Sequence, residues 1–145
     1  MEKKDRMQDV YVYVLSAYET SAERFFETLL EHGTELLLDV RRKNTNQLCG
    51  FTRQRDLEYL TGKIAGAKYV HDLRFAPEPY LLEDYLKHRS GWDKFRAGYC
   101  AQMEKIDAAG LFGQEYGAYR SVCILGAGTV KRMSHSEILV KMING

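Results

Sequence analysis

The sequence predicts an α/β fold: a single three-layer domain in which a parallel, or mostly parallel, four-stranded sheet carries helices on both faces. Two observations predict it. The continuous apolar runs Leu36-Leu37-Leu38 with Val40, and Val122-Cys123-Ile124-Leu125, suit strands buried on both sides. Between the strand signals lie segments whose apolar residues recur every three or four positions, the period of a helix packed on one face. Strands that alternate with helices in this way build a parallel sheet through right-handed crossovers.

With 145 residues the chain suffices for one domain with one core, taken as 1–145 with 1–8 as an N-terminal tail. A hydrophobic fraction of 45% and a charged fraction of 28% are those of a folded globular protein. Balance between 21 Lys+Arg and 20 Asp+Glu disfavours a broadly basic nucleic-acid binder and a membrane-surface binder, leaving only a local patch open. Met1 to Arg6 is charged and has no signal-peptide core, and no run approaches the roughly 18 apolar residues of a membrane span. A cytoplasmic protein is expected. Its three cysteines, Cys49, Cys100 and Cys123, are widely spaced and read as reduced thiols, with Cys100 and Cys123 in core packing.

Taken in order, Val10 to Leu15 alternates valine and tyrosine and reads as the first, central strand. Thr20 or Ser21 caps a helix whose face is Phe25, Phe26, Leu29 and Leu30, and Gly33 ends it. Glu35 to Val40 is the second strand. Arg41 to Thr52 is a polar loop longer than an α/β sheet needs, and loops of that length are often functional. Arg53 to Ile64 is a weaker helix with Leu57, Leu60 and Ile64 on one side and Thr52 as its cap. Ala67 to His71 is the third strand, and Asp72 to Pro79 a turn-rich exit. After a short helix over Tyr80 to Lys87, the stripe Trp92, Phe95, Tyr99, Met103 and Ile106 predicts one long helix from Trp92 to Ala109. Gly110, Gly113 and Gly117 then punctuate the return to a fourth strand, Ser121 to Leu125. Gly126-Ala127-Gly128 stops that strand. The last helix, Ser134 to Ile143, opens with a capping box of Ser134 and Glu137, and Met133 is placed to staple onto Ile138.

In parallel sheets ligands sit outside the carboxyl ends of the strands, which directs attention to Ser16 and Tyr18, Asp39 and Arg41, Asp72 and Arg74, and Gly126 to His135. The expected ligand is small and anionic, a phosphate or nucleotide-like compound. Arg41 offers a planar fork of donors for an anion, or else an internal ion pair with Asp39. Lys131, Ser134 and the backbone at Gly126 and Gly128 would add charge and donors beside a helix start. His135 stands where a helix dipole favours a neutral imidazole, as an acid or base or simply as a surface histidine. No metal and no cofactor is expected. His32, His71 and His88 have no ligand spacing, and Gly126-Ala127-Gly128 is neither a dinucleotide fingerprint nor a P-loop. One competing reading is a nucleic-acid module using Arg41, Arg42, Lys43, Arg53, Arg55, Lys131 and Arg132; another is an inactive interaction domain, with a homodimer among its states.

Several segments together resemble the DUF488 family of small bacterial and archaeal α/β proteins. They are the opening strand and capped helix up to Phe25, Glu35 to Arg41 with its Asp-Val-Arg end, and Phe51 with Leu57. Further on come Tyr69-Val70-His71, Ala76-Pro77, Leu81-Leu82, Tyr85, Trp92, Phe95 and Tyr99. The resemblance implies Cys-Ala-Glu or Cys-Ser-Glu after the last strand and Cys-His-Arg at the last helix. This chain has Gly126-Ala127-Gly128 and Ser134-His135-Ser136 instead, and Ser16-Ala17-Tyr18 where relatives carry glycine with His or Tyr. A thiolate at a helix start beside histidine would be an activated nucleophile; with both thiols replaced, no cysteine-based catalysis is expected.

Overall fold

The computed structural model describes residues 10–44 and 47–145. The expected tail over 1–8, residues 45 and 46 of the long loop, and the side chain of Cys49 lie outside that description. Four strands form one all-parallel sheet: β1 (Tyr11–Ser16), β2 (Leu36–Asp39), β3 (Lys68–His71) and β4 (Ser121–Gly126), in the order β1-β4-β2-β3. The α-helices among the described residues are α1 (Ala22–Glu31), α2 (Gln54–Leu60, continued by a π turn over Thr61–Ala65), α3 (Pro79–Leu86), α4 (Trp92–Lys105), α5 (Ala108–Tyr116) and α6 (His135–Asn144), with short 3-10 turns over Gln47–Thr52 and Leu73–Phe75.

Three layers follow from the two-residue period of the strands, which sends neighbouring side chains to opposite faces. Leu37, Tyr69, Cys123 and Leu125 meet Phe25, Phe26 and Leu29 of α1 and Leu57 of α2. On the other face Val12, Leu36, Leu38, Val122 and Ile124 meet Tyr99 and Met103 of α4, Phe112 and Tyr116 of α5, and Ile138 and Leu139 of α6. The two central strands are buried at every position, as a helix-covered parallel sheet requires.

Several local expectations are corrected. The first strand lies at an edge, because β4 inserts between it and β2, and Tyr11 is 49% exposed. Tyrosine hydroxyls seek water, so a Val/Tyr alternation fits an edge better than a centre enclosed by helices. The segment from Trp92 is two helices rather than one. Asp107 takes a left-handed conformation, φ 51°, ends the first and caps the second through the Gly110 N–H, leaving Ile106 exposed off the stripe. Arg53, not Thr52, is the N-cap residue of α2 and makes no capping bond; Thr52 Oγ1 donates to the Ala17 carbonyl at 3.3 Å. Leu30 and Ile64 likewise point to solvent.

The connections after β1 and β2 carry α1 and α2 over one face, whereas α4, α5 and α6, after β3 and β4, cover the other. Adjacent strands whose connections leave to opposite faces open a crevice at their carboxyl ends. That crevice lies beside β4. Among the described residues no helix is long and apolar enough to cross a membrane.

Candidate functional site

The exit of β4 is shaped by how closely α6 approaches it. A Cβ added to Gly126 would stand 1.9 Å from Ser136 Oγ and 2.4 Å from Ser136 Cβ, so only glycine fits beneath the first turn of the helix. Ser134 caps that turn: its Oγ accepts from the N–H of Ser136 at 3.4 Å and of Ala127 at 3.4 Å, and from the Ser136 hydroxyl at 3.2 Å. Glu137 closes the capping box by accepting the Ser134 N–H at 2.9 Å. Two ties hold the β4–α6 loop to the exit of β1. Ser16 Oγ donates to the Gly128 carbonyl, and Glu19, itself at φ 61°, accepts the Val130 N–H at 2.8 Å.

At the exit of β2, Asp39 and Arg41 form a buried bidentate pair. Arg41 Nε and one terminal nitrogen donate to the two carboxylate oxygens at 2.9 and 2.8 Å, and that terminal nitrogen also reaches the Thr52 carbonyl at 2.6 Å. Tyr69 and Asn44 donate to the same carboxylate at 2.6 and 3.2 Å. Burial opposes the charge on Asp39, yet the Arg41 and Tyr69 donors outweigh it and hold the carboxyl below its usual range. The guanidinium of Arg41, in a residue only 2% exposed, is therefore a structural cation neutralised by Asp39.

His135 is equally constrained. Its Nε2 donates to the Val40 carbonyl at 2.6 Å, which leaves Nδ1 as acceptor, 3.4 Å from Ser134 Oγ, and its ring stands edge-on to Tyr99. Burial pushes its pKa down to about 4, with Arg42 adding to the effect while the Val40 carbonyl and Asp39 oppose it. The imidazole is neutral at pH 7. Its Nδ1 lone pair faces the hydroxyl of Ser134 and can accept a hydrogen bond from it, and both side chains are nearly enclosed.

These elements border a cleft of about 680 Å³ at the carboxyl end of the sheet. One wall is made by strand exits and the β4–α6 loop: Tyr18, Arg41, Arg42, Lys43, Ala127, Arg132, Met133, Ser134 and His135. Tyr80, Leu82, Tyr85 and Leu86 of α3 and Phe95 of α4 line the same cleft, and the Tyr85 hydroxyl joins α3 to the loop by donating to the Met133 carbonyl at 3.0 Å. Among the described residues, five cations line the cleft against one carboxylate, that of Glu83. Arg42 donates to the Pro77 carbonyl and Lys87 pairs with Glu83, but Lys43 and Arg132 have no carboxylate partner among the described residues.

Residues 21–143 match the family described as domain of unknown function DUF488. The chain belongs to the DUF488 family. Neither a curated protein nor a solved structure matches it. Ser136 fills the space that a side chain at Gly126 would need, so the glycine and the serine are structurally linked.

Of the residues singled out in the sequence, Tyr18, Arg41, Ser134 and His135 meet on the cleft, and Ser16 and Gly128 brace its loop. Asp39 lies beneath Arg41. Arg74 stands apart, paired with Asp72 at 2.7 Å and Glu115 at 2.9 Å, and Lys131 is exposed on the loop outside the lining. Sequence reasoning missed α3 as a wall. The available signal was composition: Tyr80, Leu81, Leu82, Tyr85 and Leu86 crowd a helix started by Pro79, yet none of its residues is buried.

Proposed function

We propose that this DUF488 protein binds a small anionic ligand of the phosphate class in the cleft at the carboxyl end of its sheet. The observation that carries the reading is the unequal charge of the lining, with Lys43 and Arg132 unmatched by carboxylates among the described residues. A cleft of about 680 Å³ is of ordinary size for a small-molecule site, which spans roughly 300–1,000 Å³. Low-dielectric walls concentrate the field of those cations, whereas the buried Arg41 is neutralised by Asp39. Thiolate chemistry forms no part of the reading, since glycine and serine stand where the family motif has cysteine. A cytoplasmic setting, where phosphate compounds abound, is part of it.

A nucleic-acid patch draws less support. Arg41 pairs with Asp39, Arg53 with Asp56, and Arg42 is engaged by Pro77, so three of the seven cations in that patch are already engaged. Calorimetric titration with inorganic phosphate and ribose 5-phosphate tests the reading. Binding that is lost in Arg132→Ala and in Lys43→Ala supports it, and the absence of heat from either compound in the wild type, or titrations unchanged in both variants, rejects it.

A further inference from the structure

The helix α3 carries five apolar or aromatic residues in eight positions, and no residue in it is buried. A helix of that composition ordinarily hides one face in the core. Here only Leu81 turns inward, toward Gly98 of α4, and Tyr80, Leu82, Tyr85 and Leu86 are left lining the cleft. Tyr85 is fixed by stacking on Phe95, with ring centroids 4.5 Å apart and planes at 20°, and by its hydroxyl bond to the Met133 carbonyl. Tyr80 is 68% exposed and takes part in no ring contact among the described residues. Lys43 and Arg132 line the same cleft.

An inorganic anion would use the cationic wall and leave the aromatic one in water. From cations and aromatic side chains lining one cleft we infer that the ligand is a mononucleotide, its phosphate on Arg132 and Lys43 and its base laid on the α3 face against Tyr80. The inference rests on the phosphate-binding reading above and adds the chemical class. Stacking is tolerant of base identity, because every base offers a π face to an aromatic ring. The cleft is open, and the Tyr80 side chain is free of other duties, so its removal leaves the fold intact.

Calorimetric titration of the full chain with adenosine 5′-monophosphate, ribose 5-phosphate, adenosine and a single-stranded oligonucleotide separates the outcomes. The expected result is that the monophosphate binds tighter than either of its halves. Tyr80→Ala then weakens the monophosphate by about tenfold without changing ribose 5-phosphate, and Tyr80→Phe restores it. Equal affinity for ribose 5-phosphate and the monophosphate, unaltered by Tyr80→Ala, overturns the inference while the phosphate reading stands. Silence from every phosphate compound removes both. Binding that grows with oligonucleotide length while the monophosphate gives none overturns the inference in favour of a strand.

Discussion

Gly126 and Ser136 compete for one space: a methyl group on the glycine would stand 1.9 Å from the serine hydroxyl oxygen and 2.4 Å from its Cβ. Since Cβ cannot swing away as a side-chain tip can, Gly126→Ala must shift the first turn of α6, an overpacking cost of about 1–3 kcal/mol. In a Ser136→Gly background the same substitution should cost much less. Denaturant unfolding of the two single variants and the double variant gives the coupling energy; additive costs would show that the helix start yields freely.

Removing Arg41 leaves a buried carboxylate held only by neutral donors. Arg41→Ala should therefore destabilise by about 3–5 kcal/mol, the usual cost of breaking a buried ion pair from one side. Arg41→Met combined with Asp39→Leu removes both charges and should be milder. Chemical denaturation of the single and double variants decides; a single variant within about 1 kcal/mol of wild type would mean that water reaches Asp39.

His135 makes stability depend on pH. Its pKa is about 4 when folded and near the ordinary 6.5 when unfolded, so the unfolded chain takes up the proton first as pH falls. Stability is full above pH 6.5 and declines toward pH 4, by at most about 3 kcal/mol. The groups facing the ring are Asp39, Arg42, Tyr99, Ser134 and the Val40 carbonyl, and none but Asp39 favours its charged form through charge. Below the usual carboxyl value of 3.8, Asp39 and Asp72, both held down in the fold, add a second decline. Urea unfolding across this range should show a shallower slope between pH 6.5 and 4 in His135→Gln than in wild type. Identical slopes would remove His135 as the cause.

Glu19 pins the β4–α6 loop through the Val130 N–H, although Val130 itself is fully in solvent at 92% exposure. Glu19→Ala should speed hydrogen exchange at Val130 and its neighbours with a global cost of only about 1 kcal/mol. Glu19→Gln keeps an acceptor in place and should restore protection. Unchanged exchange in the alanine variant would assign the order of the loop to its own Thr129–Arg132 bridge.

Much of the fold was legible because its signals are local. Apolar runs identified the buried strands, and Ser134 with Glu137 marked a helix start that the structure reproduces bond for bond. The pairing of β1 with β4 was not legible: those strands are far apart in the chain, and nothing in the periodicity of either says which neighbour it takes. The split at Asp107 escaped for another reason, since a single left-handed residue interrupts a helical stripe without changing its apolar pattern.

By itself the sequence determined the layers, the capped entry to α6 and the candidate residues at the strand exits, because periodicity and capping act between residues close in the chain. Only the tertiary structure decided what those residues face. It turned Arg41 inward onto Asp39, carried Arg74 away to Glu115, set His135 under the Val40 carbonyl, and brought the uncovered aromatic helix α3 into one cleft with Lys43 and Arg132. Burial and partnership depend on which strands and helices come together, and that is settled by packing over the whole chain rather than by any stretch of it.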